Sequence, residues 1–277
     1  MKRIIIADSC LELNEELKNK LDIKLVGLNL DLGDKVYKDD ENLNVEEFVK
    51  EMNAYTGVAK SAAPSPQEFY DQMEGYDEVF IISISSRLST VYNSALIAKS
   101  MKNESDPEVK VHIFDSKSAV SGETLLAIKI QELMDKGLSF EDIVEEIEDF
   151  KKDMRTYFIL ENLDNLVKNG RMSKLAGKIA STLSINPVCK GNDGVIEVAT
   201  KSRGMKAGLM KLVDLSMEGI EDFSEKTLVI GHVLNEERAI FLRDKYLSKY
   251  KFKEVYIVPS KGLTSIYANE GGIVVAI

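Results

Sequence analysis

The sequence predicts an α/β protein in two parts, an N-terminal parallel-sheet three-layer domain and a C-terminal α/β domain with a mixed sheet. Three observations carry this. Val79, Phe80, Ile81, Ile82 and Ile84 form a short, continuously apolar run rich in branched side chains, the composition of a strand buried on both faces. Such runs alternate with stretches of helical period as far as about residue 154, the order that builds a parallel sheet with crossover helices. Beyond that point, Asn192-Asp193-Gly194 separates two further runs, which is the turn chemistry of an antiparallel hairpin and foreign to a purely parallel sheet. The expected domains are 1–154 and 155–277.

In order, residues 3 to 7 read as a first apolar strand, and Asp8-Ser9 as caps for a helix whose buried stripe is Leu13, Leu17 and Leu21. Ile23, Leu25, Leu28, Leu30 and Leu32 give a second strand. Gly33 to Asn42 is an acidic, solvated loop, and Asn44 with Glu47 opens a helix in capping-box spacing. Tyr55 to Ala63 lacks periodicity, so Ser61 falls in a loop, and Ser65-Pro66-Gln67-Glu68 reads as a cap, a proline at the first helical position and a box-closing Glu. The central strand ends in Ser85, Ser86, Ser89 and Thr90, ahead of a helix through Val91, Ala95, Leu96 and Lys99. Val109 to Phe114 is a strand, and Ser118 to Lys136 and Ser139 to Asp153 are helices.

Thr156 to Leu160 restarts the strand pattern, followed by a short helix, the turn Asn169-Gly170-Arg171, and a helix to about Leu183. The hairpin pairs Ile185 to Cys189 with Val195 to Thr200. Helices at Met205 to Met217 and Glu236 to Ser248 then alternate with strands at Leu228 to Val233 and Glu254 to Val258, and Ile273 to Ile277 is the last strand.

The balance of 36 basic and 46 acidic residues, a formal charge of −10, offers no basic patch for nucleic acid or anionic membrane. Cys10 and Cys189 are the only cysteines, too few for a disulfide framework or a metal cluster, which points to a reducing compartment. Asp8 ends the first apolar run after four residues, and no later run has membrane-spanning length. The expectation is a soluble cytoplasmic protein.

Several chemistries are excluded. With only His112 and His232 available as bases and no Gly-x-Ser-x-Gly elbow, a serine triad has no footing. Neither the Walker A nor the dinucleotide glycine spacing occurs. What remains is a set of hydroxyls and arginines at turns: Ser61, Ser89, Arg171 and Arg203. A strand, a hydroxyl-rich turn and a helix start present donors at the carboxyl end of a sheet, where open α/β folds bind ligands. Arginines beside a cleft suit carboxylate or phosphate. The same serines serve equally well as helix caps and the same arginines as surface charges, and residue spacing alone leaves both roles open.

Five segments together resemble the DegV family, whose members include the fatty-acid-binding subunits of bacterial fatty acid kinase. They are Ile-Ala-Asp-Ser at 6 to 9, Ser-Ala-Ala-Pro-Ser-Pro at 61 to 66, Ile-Ser-Ser-Arg-Leu-Ser at 84 to 89, Asp-Ser-Lys-Ser at 115 to 118, and Asn-Gly-Arg-Met-Ser-Lys at 169 to 174. The resemblance implies a bacterial protein of lipid metabolism, without cofactor, metal or catalytic residue of its own. It would bury a long-chain fatty acid at the domain interface and present it to a separate kinase. It assigns Ser61 and Ser89 to the fatty-acid carboxylate and places Arg171 and Arg203 near it. Tyr267 stands where the family commonly has a His, and a phenol titrates far above neutrality, so a proton switch at that position is not expected. Ala62 and Ala63 replace two neighbouring polar residues of the family pattern. The rival expectation is an enzyme acting on a small polar carboxylate or phosphate in the same cleft.

Overall fold

In the computed structural model, which describes residues 1–173 and 185–277, Arg3–Asp8 (β1) and Glu78–Ser83 (β6) lie side by side. They form the centre of a four-stranded parallel sheet flanked by Ile23–Val26 (β2) and Lys110–Asp115 (β7). Every residue of β6 is buried, as its uninterrupted apolar run requires. The strand order β2-β1-β6-β7 reverses direction between β1 and β6, so the carboxyl ends of these two strands flank the crevice where open α/β sheets take ligands.

The expected second strand is two strands in two sheets. The chain leaves the parallel sheet at Gly27, where a Cβ would sit 2.9 Å from the Asp39 carbonyl oxygen. Asn29–Leu32 (β3) then pairs antiparallel with Lys35–Lys38 (β4) and Lys60–Ala62 (β5). The loop expected at Gly33 to Asn42 therefore contains a strand and ends in a buried Asp39. Ser61 lies on β5 opposite Leu30 rather than in a loop, because a three-residue strand is too short to display a period. Asp8 and Ser9 do not cap the first helix. Asn14 caps Glu15–Lys20 (α1) by accepting from Leu17 N–H at 2.9 Å, and Leu13 lies ahead of it. Of the other cap expectations, Asn44 caps Val45–Ala54 (α2) by accepting from Glu47 N–H, and Pro66–Gln72 (α3) has its full capping box; Phe140–Asp153 (α6) is capped by Ser139.

Val91–Ser105 (α4) follows β6, and Ser121–Asp135 (α5) follows β7. The latter runs between two sheets. Leu125, Leu126, Ala127, Ile128 and Ile130 pack with Ile5, Ala7, Phe80 and Ile82 on one side and with Val229, Val258 and Ala276 on the other, so this helix buries apolar side chains on two faces. Ser121 pins its start by donating to Val274 O at 2.8 Å and accepting from Gly231 N–H at 3.0 Å.

The C-terminal sheet has the order Val195–Arg203 (β10), Ile185–Asn192 (β9), Thr156–Ile159 (β8), Ile273–Ala276 (β13), Thr227–His232 (β11), Glu254–Pro259 (β12). Only β11 and β12 pair in parallel. The hairpin tip has Asp193 and Gly194 both at positive φ, 45° and 83°, the conformation Asp-Gly favours in a two-residue turn. Met205–Met217 (α8) and Glu236–Leu247 (α9) cover this sheet. Two short helices, Asp164–Lys168 (α7) and Gly262–Ala268 (α10), reach toward the N-terminal part; α10 has no counterpart in the sequence reading. The helix expected to end near Leu183 lies outside the described residues. Met154-Arg155 joins α6 to β8, the first segment of the six-stranded sheet. No helix among the described residues is long and apolar enough to cross a membrane.

Candidate functional site

Between the two main sheets lies a cavity that opens to solvent, with about 880 Å³ of empty space when its mouth is included. Its wall is mostly apolar: Leu28, Ile84, Val120, Phe158, Leu166 and Val274 come from six different segments. These residues belong to one continuous core that also contains β6 and α10, so the cavity is a gap within the packing of both halves. Val120, a β-branched residue, is held there at φ 55°, a conformation that costs energy unless its surroundings impose it.

Four sequence-predicted residues meet at this cavity. Ser61, Ser89, Arg171 and Tyr267 all line it and are all half-buried. The Ser61 hydroxyl and the Tyr267 phenol are 2.9 Å apart, and the Arg171 guanidinium lies 5.8 Å from the Tyr267 ring centre, within cation–π range. The Ser89 hydroxyl accepts from Val91 N–H at 3.4 Å, a weak tie that leaves its own proton available.

Helix α7 and the turn after it hold this group together. Asn165 donates to the carbonyl of Ile266, one residue before Tyr267, at 2.7 Å. Asn169 donates to the carbonyl of Ala59, two residues before Ser61, at 3.0 Å. Arg171 donates from Nε to the carbonyl of Leu88, one residue before Ser89, at 3.0 Å, and from Nη1 to the Asn169 carbonyl at 2.5 Å. One short segment thus fixes the backbone beside each of the other three side chains. The result is two or three hydroxyl donors and a guanidinium at one corner of an apolar cavity, the donor set of a carboxylate site.

Arg203 is not brought to this wall. It ends β10 as an exposed residue paired with Ile185. Eight residues of strand at about 3.3 Å each separate it from Val195, which does line the cavity. Its place just after the hairpin's return strand suggested a cleft position, but that end of the strand is the one away from the cavity.

Sequence reasoning missed a buried acidic group beneath the cavity. Asp8, Cys10 and Glu123 bring their ligand atoms within 4.8 Å of one another, with Glu12 and Asp39 close by. Burial pushes the Asp8 carboxyl up to about 7, against the pull of the Ile84 and Cys10 N–H groups it accepts from. Burial likewise pushes Glu12 up to about 8, and Glu123 and Cys10 well above their usual ranges. The Asp8 oxygens already take two backbone N–H donors, at 2.7 and 2.9 Å, and groups that hold protons so firmly are poor metal ligands at neutral pH. The signal was present as Asp8, Cys10 and Glu12 at alternate positions, but a short loop gives no period from which to read burial.

Fold and cavity together define an α/β protein with a parallel and a mixed sheet and a mostly apolar chamber between them. The sequence matches the model of the family described as "Uncharacterised protein, DegV family" over residues 2–277. The chain belongs to the DegV family. A DegV domain-containing protein of Streptococcus pneumoniae is 34% identical over 249 residues, 90% of this chain and 88% of that protein. A DegV family protein from Ruminococcus gnavus, solved with vaccenic acid, superposes with a TM-score of 0.94 at 35% identity, covering 99% of each chain. The Fatty Acid Kinase B3 protein of Streptococcus pneumoniae, loaded with linoleic acid, superposes with a TM-score of 0.93 at 32% identity, covering 100% of this chain and 99% of that one.

Proposed function

We propose that the protein binds a long-chain fatty acid, its chain in the apolar cavity and its carboxylate at Ser61, Ser89, Arg171 and Tyr267. It acts without catalysis of its own, in the cytoplasm, and presents the acid to a separate fatty acid kinase. The single observation that carries this reading is the convergence of those four side chains at one corner of an otherwise apolar cavity. Burying a long acyl chain is worth about 0.8 kcal/mol per methylene and so can exceed about 10 kcal/mol before ordering costs. Each charge-assisted hydrogen bond adds roughly 1.5 to 3 kcal/mol. Affinity therefore resides in the tail and orientation in the head group. A small polar carboxylate or phosphate would leave the apolar wall unmatched, which disfavours the rival enzyme. Relatives solved with vaccenic and linoleic acids support the ligand class, and the likeness to the fatty acid kinase protein supports the partner. Two unpaired cysteines fit a reducing compartment. Arg203, exposed at the end of β10, is available to a partner surface rather than to the carboxylate.

Native mass spectrometry of the purified protein tests the reading. The expected result is a bound fatty acid retained through desalting. Ligand-free protein that also fails to take up fatty acids of about 14 to 20 carbons, the range whose methylenes would supply that affinity, overturns it.

A further inference from the structure

The corner that holds Ser61 and Tyr267 rests on a contact from outside the cavity. Asp39, buried at the end of the β4 segment, accepts from the first two N–H groups of α10: Gly262 N–H to Oδ1 at 2.9 Å and Leu263 N–H to Oδ2 at 3.1 Å. Ser9 donates its hydroxyl to Oδ2 at 2.7 Å. Beside it, Glu12 accepts on one oxygen from Lys261 N–H at 2.9 Å and from the Thr264 hydroxyl at 2.7 Å. Two N-terminal carboxyl groups therefore serve the otherwise orphan donors of a seven-residue helix from the C-terminal domain. Five residues on from the helix start, slightly over one turn, that helix carries Tyr267.

Gly262 fits the same contact from the other side. A Cβ there would fall 2.4 Å from Leu30 Cδ1, 2.5 Å from Leu43 Cδ2 and 3.0 Å from the Asp39 carboxylate. Leu30 is the register partner of Ser61 on the neighbouring strand. The helix bearing Tyr267 and the strand bearing Ser61 are thus seated against each other at the point where Asp39 grips the helix.

We propose that Asp39, supported by Glu12, is a positioning residue for the carboxylate site: it seats the first turn of α10 and so sets the Ser61–Tyr267 pair at donor distance across the two domains. The proposal rests on the carboxylate reading above. Burial raises the Asp39 carboxyl while its three donors pull it down, the balance expected of an acid held by the groups it organises.

The test compares binding of a fatty acid and of the unbranched alcohol of equal chain length, because the alcohol keeps the tail contacts and lacks the carboxylate. Asp39→Asn leaves one oxygen for two converging helix N–H donors. It should weaken acid binding roughly tenfold, the loss of about one charge-assisted hydrogen bond, and leave alcohol binding within about twofold. Gly262→Ala displaces the same turn without touching charge and should shift the acid-to-alcohol ratio in the same direction. Tyr246→Phe, which removes a buried 2.8 Å hydrogen bond to Ser216 in the distant C-terminal core, should lower the melting temperature with no change in ratio. Equal losses for acid and alcohol in both α10 variants, or an unchanged ratio in both, overturns the positioning role. A wild-type protein that binds acid and alcohol equally removes the carboxylate site itself, and this role falls with it.

Discussion

The Ser61–Tyr267 pair gives the sharpest quantitative test of the head-group site. In the ligand-free protein the two hydroxyls satisfy each other at 2.9 Å; with a carboxylate present both can turn to it. Tyr267→Phe removes one charge-assisted hydrogen bond of roughly 1.5 to 3 kcal/mol, set against a neutral bond of roughly 0.5 to 1.5 kcal/mol that the free protein no longer forgoes. The net loss in binding is about 1 to 2 kcal/mol, which is roughly 5- to 30-fold in Kd. Phe keeps the ring beside the Arg171 guanidinium, so the melting temperature should fall only by what the lost neutral bond is worth, a few degrees. Ser61→Ala should act similarly. The double variant should lose more than the sum of the singles by about the worth of the neutral bond, because each single variant is already relieved of breaking that bond and the relief can be counted only once. Titration calorimetry of delipidated protein against one long-chain acid measures all four corners of the cycle. Single variants with wild-type affinity and a lowered melting temperature would refute the reasoning and reduce the pair to a structural hydrogen bond.

Two further outcomes follow from the same structure. Ser89→Ala should weaken fatty-acid binding by about 1 to 3 kcal/mol while lowering stability by at most about 1 kcal/mol, because its tie to Val91 N–H is long at 3.4 Å; unaltered affinity with lowered stability, measured by calorimetry and thermal melts, would leave this serine as a cap alone. Glu12 titrates near 4.5 when unfolded and at about 8 when folded, so its contribution to stability is complete below about pH 4.5 and is lost as pH rises through about 8. Asp8 acts with the same sign up to about 7. His112 and His232, whose folded values are lowered by burial, act with the opposite sign below about 6.5. Between about pH 7 and 8.5 Glu12 shares the decline with Glu123, whose carboxyl burial also holds well above its usual range, and Glu12 itself adds at most about 1.4 kcal/mol per pH unit. Denaturant melts should show that slope flattened in Glu12→Gln, and an equal slope in the variant would refute the assignment.

Sequence periodicity reported those elements whose burial leaves a mark on many successive residues. The wholly apolar β6, the stripes and caps of α2, α3 and α6, and the Asp193-Gly194 turn with its flanking strands were legible because composition and local conformation coincide there. β4, β5 and α10 were not: the two strands are too short to repeat a period, and α10 has no side-chain cap of its own and owes its start to carboxyl groups more than 200 residues away in sequence.

The site divides along the same line. Four of its residue types and their order were written in the chain. Arg203 shows the limit of that reading, since the sequence does not say which end of a strand meets the cavity. By itself the sequence determined an α/β chain with a parallel sheet, a later antiparallel hairpin, and hydroxyls and arginines at turns. Only the tertiary structure decided that Ser61, Ser89, Arg171 and Tyr267 share one corner, that the space beside them is apolar, and that buried Asp39 and Glu12 grip the helix bearing Tyr267. Each of these depends on long-range contacts between segments that bury one another, and no local pattern encodes which partner a buried group will meet.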